Sequence, residues 1–245
     1  MRKIHWIILL TILAAVFCLA EETAKITTPG QSGPSPKIVA PVQQFNFGFA
    51  PEGFFLAHSF VIKNEGDAEL KIERVRTTCG CTSAPMKKMH LEPDEETEVT
   101  VVFNSRRYTR KTTKSAIITS DDPMNRSIRL SFTADMTSGA NPFPVEPWGM
   151  DIGQGVDPPQ KMTFTISNPM EEDMPVEIVD YCRDIFEEPE LSKDKIKSGK
   201  DIEMEVELND DFDAASTYIK GSVTLAIGEE NPTLVTIPIM GAGPK

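Results

Sequence analysis

Short runs in which apolar and polar residues alternate with period two limit this chain to a small set of folds. "HSFVIKN", "AELKIERV", "ETEVTVVF", "KSAIITS" and "RSIRLSFTAD" all have this form. Each is rich in β-branched residues and bounded by Asn, Gly, Asp or Pro. Alternation of this kind places one face of a strand on a core and the other in water, and the turn residues reverse the chain between strands. The expected fold class is all-β, an antiparallel β-sandwich.

The same order of segments recurs about a hundred residues later. "FNFGFAPEG" is echoed by "MDIGQGVDP", "FVIKN" by "FTISN", and "LEPDEETEVTVVF" by "IKSGKDIEMEVEL". "KSAIITSDDPMNRSIRLSFTAD" is followed in the same way by "KGSVTLAIGEENPTLVTIPIMG". Ordered self-similarity at a fixed spacing implies two tandem copies of one unit. The expected first sandwich covers 38–136, a connector 137–144 ("TSGANPFP") follows, and a divergent second sandwich covers 145–245. Each copy is expected to pack its own core, and a hundred residues suffice for that.

Ahead of the repeat, "MRKIHWIILLTILAAVFCLA" has a basic start, an apolar run from Ile4 to Phe17 and small residues before Ala20. It reads as a signal peptide over 1–20, cleaved after Ala20. The run is too short for a spanning helix, and Phe17 is too bulky for lipid attachment at Cys18. Residues 21–37, "EETAKITTPGQSGPSPK", lack large apolar side chains and read as a flexible linker. The expected localisation is periplasmic or extracellular, with no membrane span once the signal is removed.

The formal charge of the 245-residue chain is −12, and loss of Arg2 and Lys3 makes it more acidic still. Such a surface repels nucleic acid and anionic lipid. Four cysteines are present, and cleavage would leave Cys79, Cys81 and Cys182, an odd number for an oxidising compartment.

In order, "FNFGFAPEG", "HSFVIKNEGDAELKIERVRTTCGCTSAP", "LEPDEETEVTVVFNS" and "ITSDDP" resemble the bacterial family called domain of unknown function 1573. Its pattern is an F-x-F-G opening, a strand ending in N-x-G-D, a CGCT motif and a proline-led turn. Here Asp94 stands where that turn usually has glycine. The second copy keeps Asn168 and a lone Cys182. The resemblance implies an immunoglobulin-like sandwich related to PapD-type and major-sperm-protein-type domains, in exported bacterial proteins, and implies no catalytic residues.

Specific chemistry concentrates in "VRTTCGCTSAP", Val75 to Pro85. Leu70 and Ile72 face inward, but beyond Val75 the same-face set is Thr77, Cys79 and Cys81. This change of parity implies a bulge near Arg74. In an extended strand the two cysteine Cα atoms would lie about 6.5 to 7 Å apart, the outer limit for a bridge, and Gly80 would let the chain bend. Three readings stand: small apolar plugs, a dithiol and disulfide redox pair, or a copper(I) site. The last would draw on Cys79, Cys81, Met86, Met89 and His90, because thiolate, thioether and imidazole suit that ion.

His58 and His90 are the only histidines beyond the signal, and no hydrolase or zinc-protease motif is present. "SRRYTRK", Ser105 to Lys111, reads as a solvated basic hairpin, "NDDFD" as a charged turn, and Trp148 as packing. The leading functional expectation is a non-enzymatic interaction or assembly module of the bacterial envelope. It needs no cofactor and would meet an unknown protein partner through strand edges. The alternative is a thiol-redox or copper-handling protein centred on Cys79 and Cys81.

Overall fold

The protein is described by a computed structural model that covers residues 33–155, 157–241 and 243. The signal peptide, Cys18 and the linker up to residue 32 lie outside the described residues. Among the described residues there is no helix, and none long and apolar enough to cross a membrane.

The first nine strands are β1 (Ile38–Val39), β2 (Gln44–Phe49), β3 (Phe55–Asn64), β4 (Leu70–Thr77), β5 (Thr82–Ser83), β6 (His90–Leu91), β7 (Glu96–Asn104), β8 (Thr112–Ser120) and β9 (Ser127–Asp135). One sheet has the order β1-β3-β7-β5; facing it is β2-β9-β8-β4-β6. With β1, β3, β4, β5, β7, β8 and β9 taken as strands A to G, the sheets are A-B-E-D and C-F-G, the immunoglobulin arrangement. Leu56, Phe60, Ile62, Val99, Val101, Phe103, Ile118, Leu130 and Phe132 fill the space between them, each at most 1% exposed.

The second nine strands are β10 (Val145–Glu146), β11 (Met150–Asp151), β12 (Lys161–Asn168), β13 (Met174–Tyr181), β14 (Glu190–Leu191), β15 (Lys195–Ile196), β16 (Lys200–Glu207), β17 (Ile219–Ile227) and β18 (Thr233–Gly241). They repeat the pairing of the first nine strand for strand: β10-β12-β16-β14 forms one sheet, β15-β13-β17-β18 the other, and β11 lies parallel to β18 as β2 does to β9. A separate core of Phe164, Ile166, Met204, Val206, Leu225 and Ile237 closes this sandwich.

Two short-range features recur at matching places. Asn64 is fully buried; its amide donates to the carbonyls of Ala68 and Leu91, and its carbonyl accepts from the N–H groups of Lys37 and Gly66. Asn168 donates to Glu172 and Ile196 and accepts from Met170. The backbone oxygen of Asn64 receives the N–H of Asp94, and that of Asn168 the N–H of Gly199. Asp94 has φ +62° and Gly199 φ +60°. The glycine missing from the first copy is therefore missing from a left-handed position, where a side chain is strained. Asp94→Gly should stabilise the fold by about 0.5 to 1 kcal/mol, read as a higher urea midpoint with an unchanged slope.

Asp122, from "ITSDDP", is 2% exposed. Its carboxylate accepts from the N–H groups of Ile38, Met124 and Asn125 at 2.8 to 3.0 Å. Burial opposes its charge, yet these three donors, with the Lys37 charge, hold the carboxyl below its ordinary value. A depressed folded-state pKa stabilises the fold fully above the unfolded value of about 3.9, and that contribution fades as the pH falls below it. Asp122→Asn should flatten the loss of stability between about pH 5 and pH 2, measured by denaturant titration across that range.

Two expectations need correction. Ser35 to Lys37 do not belong to a free linker: Lys37 O accepts from Glu65 N, Ser35 O accepts from Asp67 N, and Asp67 accepts from Ser35 N. The turn after Asn64 has backbone groups to satisfy and takes this segment as its partner. Nor do the sandwiches meet only at Thr137–Pro144. β2 of the first lies parallel to β18 of the second, with Val235 opposite Phe49, so the inner sheets run on into a single ten-stranded sheet. Thr236 donates to Phe47 O across this seam. From Pro34 onward the chain forms one compact unit.

Candidate functional site

Two places bring chemistry-bearing side chains together. The first is the end of the first sandwich. β4 carries its bulge between Ile72 and Arg74, and after it Val75, Thr77, Cys79 and Cys81 are all half-buried. The strand ends at Thr77, so the cysteines sit in a turn with Cα atoms 5.3 Å apart, closer than in an extended strand, and they are joined by a disulfide. Gly80 does not adopt a left-handed conformation, and a Cβ on it would meet nothing within 4 Å. A ring closed across one intervening residue contributes only about 1.5 kcal/mol of loop-closure entropy, against about 3 kcal/mol for a fifteen-residue loop.

Cys81 packs against the core, whereas Cys79 is not part of that cluster. The Tyr108 hydroxyl donates to Cys81 Sγ at 3.2 Å, and the Thr82 hydroxyl lies 3.4 Å from Cys79 Sγ and 3.8 Å from Cys81 Sγ. Gly80, Cys81, Asn104, Arg106, Arg107 and Tyr108 line one open depression. The basic hairpin is thus the neighbour of the bridge.

The five residues considered for copper(I) are not assembled. Bridged sulfurs are not thiolates. Along β7, Thr82 lies opposite Phe103 and Met86 opposite Val99, four residues and about 13 Å away. His90 pairs with Lys71 on β4, six residues and about 20 Å before Thr77, and its ring bonds Glu69 at 2.8 Å. Met86 and Met89 lie against the core instead. The segment from Thr82 to Leu91 starts in one sheet and ends in the other, which separates residues close in sequence. Among the described residues no group of three or more His, Cys, Asp and Glu is arranged to hold a metal.

The second place is a cleft of about 280 Å³ between the sandwiches. One wall is the outer face of β3 and β7, with Ser59, Val61, Thr100 and Val102. The other is the end of β13 and the turn after it, Tyr181 to Ile185, with Tyr218 just before β17 and Lys220 on it. The edge of β3 is unpaired here by any strand, and the Ser222 hydroxyl takes the place of one: it donates to Ala57 O and accepts from Ala57 N, each at 3.0 Å. His58 is stacked on Phe45 and joined to Asp180 across the boundary at 2.9 Å. The third thiol, Cys182, accepts from Ser222 N at 3.3 Å; burial, and then the charges of Asp180 and Asp184, push it up to about 12. It is therefore protonated and inert at neutral pH.

The cleft carboxylates have partners. Asp180 meets His58, and Glu98 and Asp184 share Lys87 at 2.7 Å each. Those contacts, with hydrogen bonds on top of charge, hold the Lys87 ammonium above its ordinary value. Two cations in the lining have no carboxylate partner among the described residues: Arg183 lies over the Tyr181 ring at 5.1 Å, and Lys220 over Phe55 at 5.1 Å and Tyr218 at 5.9 Å. β13, which leads into the cleft, pairs with β17 along its length but with β15 only at Met174 and Pro175, and Val179 on it is 43% exposed.

Fold and site together define a two-sandwich, all-β protein of immunoglobulin-like architecture with a bridged CGC turn and a cleft between its halves. The model of a family described as Protein of unknown function (DUF1573) matches residues 38–136. No curated protein matches the chain. Among solved structures it is similar to an ASH/PapD-like domain of human CEP192, at 12% identity over 49% of this chain and 97% of that one, with a TM-score of 0.37. It is also similar to a protein of unknown function from Porphyromonas gingivalis (11% identity, 83% and 98% covered, TM-score 0.35) and to the CupB2 chaperone of Pseudomonas aeruginosa (11%, 82% and 100%, 0.33).

Proposed function

We propose that the protein is an exported, non-enzymatic interaction module of the bacterial envelope that holds a protein partner in the cleft between its two sandwiches. The observation that carries this reading is the charge pattern of the cleft: Asp180, Asp184 and Glu98 are satisfied internally, while Arg183 and Lys220 stand over aromatic rings with no carboxylate partner among the described residues. In a chain of charge −12, two unpaired cations beside Val61, Tyr181 and Tyr218 suit a segment with both apolar and acidic groups. The open side of β13 offers backbone groups for an added strand that would end in the cleft. Export rests on the N-terminal basic and apolar run.

The test is affinity purification from solubilised envelopes, wild type against the double variant Arg183→Glu, Lys220→Glu. A specific partner should be recovered with wild type and reduced about tenfold or more with the variant. Equal recovery would place the interface elsewhere.

A further inference from the structure

The geometry points to the Cys79–Cys81 bridge as an exchangeable disulfide that is opened at Cys79 by an anionic thiol, with Cys81 as the leaving sulfur. Two observations define this direction and a third the charge of the thiol, and none involves the cleft. Cys79 stands outside the core cluster that Cys81 packs against, so it is the less tightly packed end of the bridge. Cys81 receives the Tyr108 hydroxyl at 3.2 Å, and a thiolate formed there would take that hydrogen bond at full strength. The depression beside it is lined by Arg106 and Arg107, which pair with no carboxylate among the described residues.

Arg107 adds an independent point. Its φ is +77°, a left-handed conformation that glycine or asparagine adopts at lower cost. Strained positions of this kind concentrate at functional sites, and here the strained residue brings a guanidinium to the lip of the bridge.

The exchange balances as follows. A partner thiolate attacks Cys79 Sγ and forms a mixed disulfide; the Cys79–Cys81 bond breaks and its electron pair leaves on Cys81 Sγ. A second partner thiolate then attacks the partner sulfur of the mixed disulfide, which completes the partner's own disulfide and releases Cys79 as a thiolate. The two protein thiolates take up the protons that the partner thiols lost. Two partner thiols are oxidised and one protein bridge is reduced. Arginines at the lip favour thiols that carry negative charge, such as acidic thiol peptides.

The experiment measures opening of the bridge in the purified protein, with glutathione as the anionic probe and cysteamine as the cationic one at matched thiolate concentrations, by alkylation quench and peptide mass mapping. Glutathione should react about tenfold faster at low salt, with the preference lost near 1 M salt. The first adduct should map to Cys79, with Cys81 alkylated. Arg106→Gln with Arg107→Gly should abolish the preference without slowing cysteamine; the glycine also removes the backbone strain, so the fold is spared. Tyr108→Phe keeps the ring against Phe103, at 5.1 Å between centroids, and should slow both thiols several-fold. A first adduct on Cys81, equal rates for the two thiols at low salt, or a bridge that resists glutathione in the folded protein but not after unfolding would overturn the assignment.

Discussion

Gly48→Ala should part the two sandwiches while leaving each able to fold. Gly48 has φ +64° at the irregularity in β2, and a Cβ there would lie 1.9 Å from the carbonyl oxygen of Leu234 and 2.4 Å from its Cβ. Leu234 is backbone of the neighbouring β18, so no side-chain rotation relieves the clash. The left-handed conformation adds about 1 to 2 kcal/mol for any residue with a Cβ, and overpacking about 1 to 3 kcal/mol more. The nearest structure to give way is the seam, where one residue pair, Val235 opposite Phe49, joins β18 to β2. Calorimetry should show the single transition of the wild type resolved into two. Protease cleavage at 137–144 should become faster. An unchanged single transition would mean that the β2–β18 junction does not couple the sandwiches.

Asn64→Ala should be the most destabilising exchange of a polar side chain in the first sandwich. It leaves the N–H groups of Lys37 and Gly66 and the carbonyls of Ala68 and Leu91 without the partner they share. At about 1 kcal/mol for each backbone group stranded, the loss is about 3 to 4 kcal/mol, or about 10 °C in Tm for a protein of this size. Asn168→Ala breaks three such bonds rather than four and should cost less, about 2 to 3 kcal/mol. Thermal melts of the two variants side by side decide the order. A loss below 1 kcal/mol at Asn64 would show that water replaces the amide.

These effects mark how far the sequence was legible. Strand alternation and the parity change beyond Ile72 reported local geometry, because each depends on neighbours in the chain; the bulge lies between Ile72 and Arg74, one residue's span around the expected place. Asp94 and Asn168 stand out when the segments are set against one another or against the family pattern, and both sit at backbone positions with specific demands.

What stayed hidden depends on residues far apart. Ala57 with Ser222, His58 with Asp180 and Phe47 with Thr236 are separated by 165, 122 and 189 residues, and no periodicity encodes such meetings. Arg183 and Lys220 are unremarkable charges until the fold sets them in one cleft. Tyr108 had a local signal, an aromatic residue inside a basic hairpin, but its contact with Cys81 required the register of β5 on β7. The residues named for copper(I) lie apart for the converse reason: "APMKKMH" is short in sequence, yet the chain crosses from one sheet to the other within it.

The cleft as the place of partner binding is tested most directly by a photo-crosslinking phenylalanine analogue at Tyr181, which lines the cleft, in the cells that make the protein. The control position is Arg129, exposed on β9 and absent from the cleft lining. Illumination should give a discrete adduct from position 181 that Arg183→Glu suppresses, and none from position 129. The same adduct from both positions, or none from 181, would contradict a partner held between the two sandwiches.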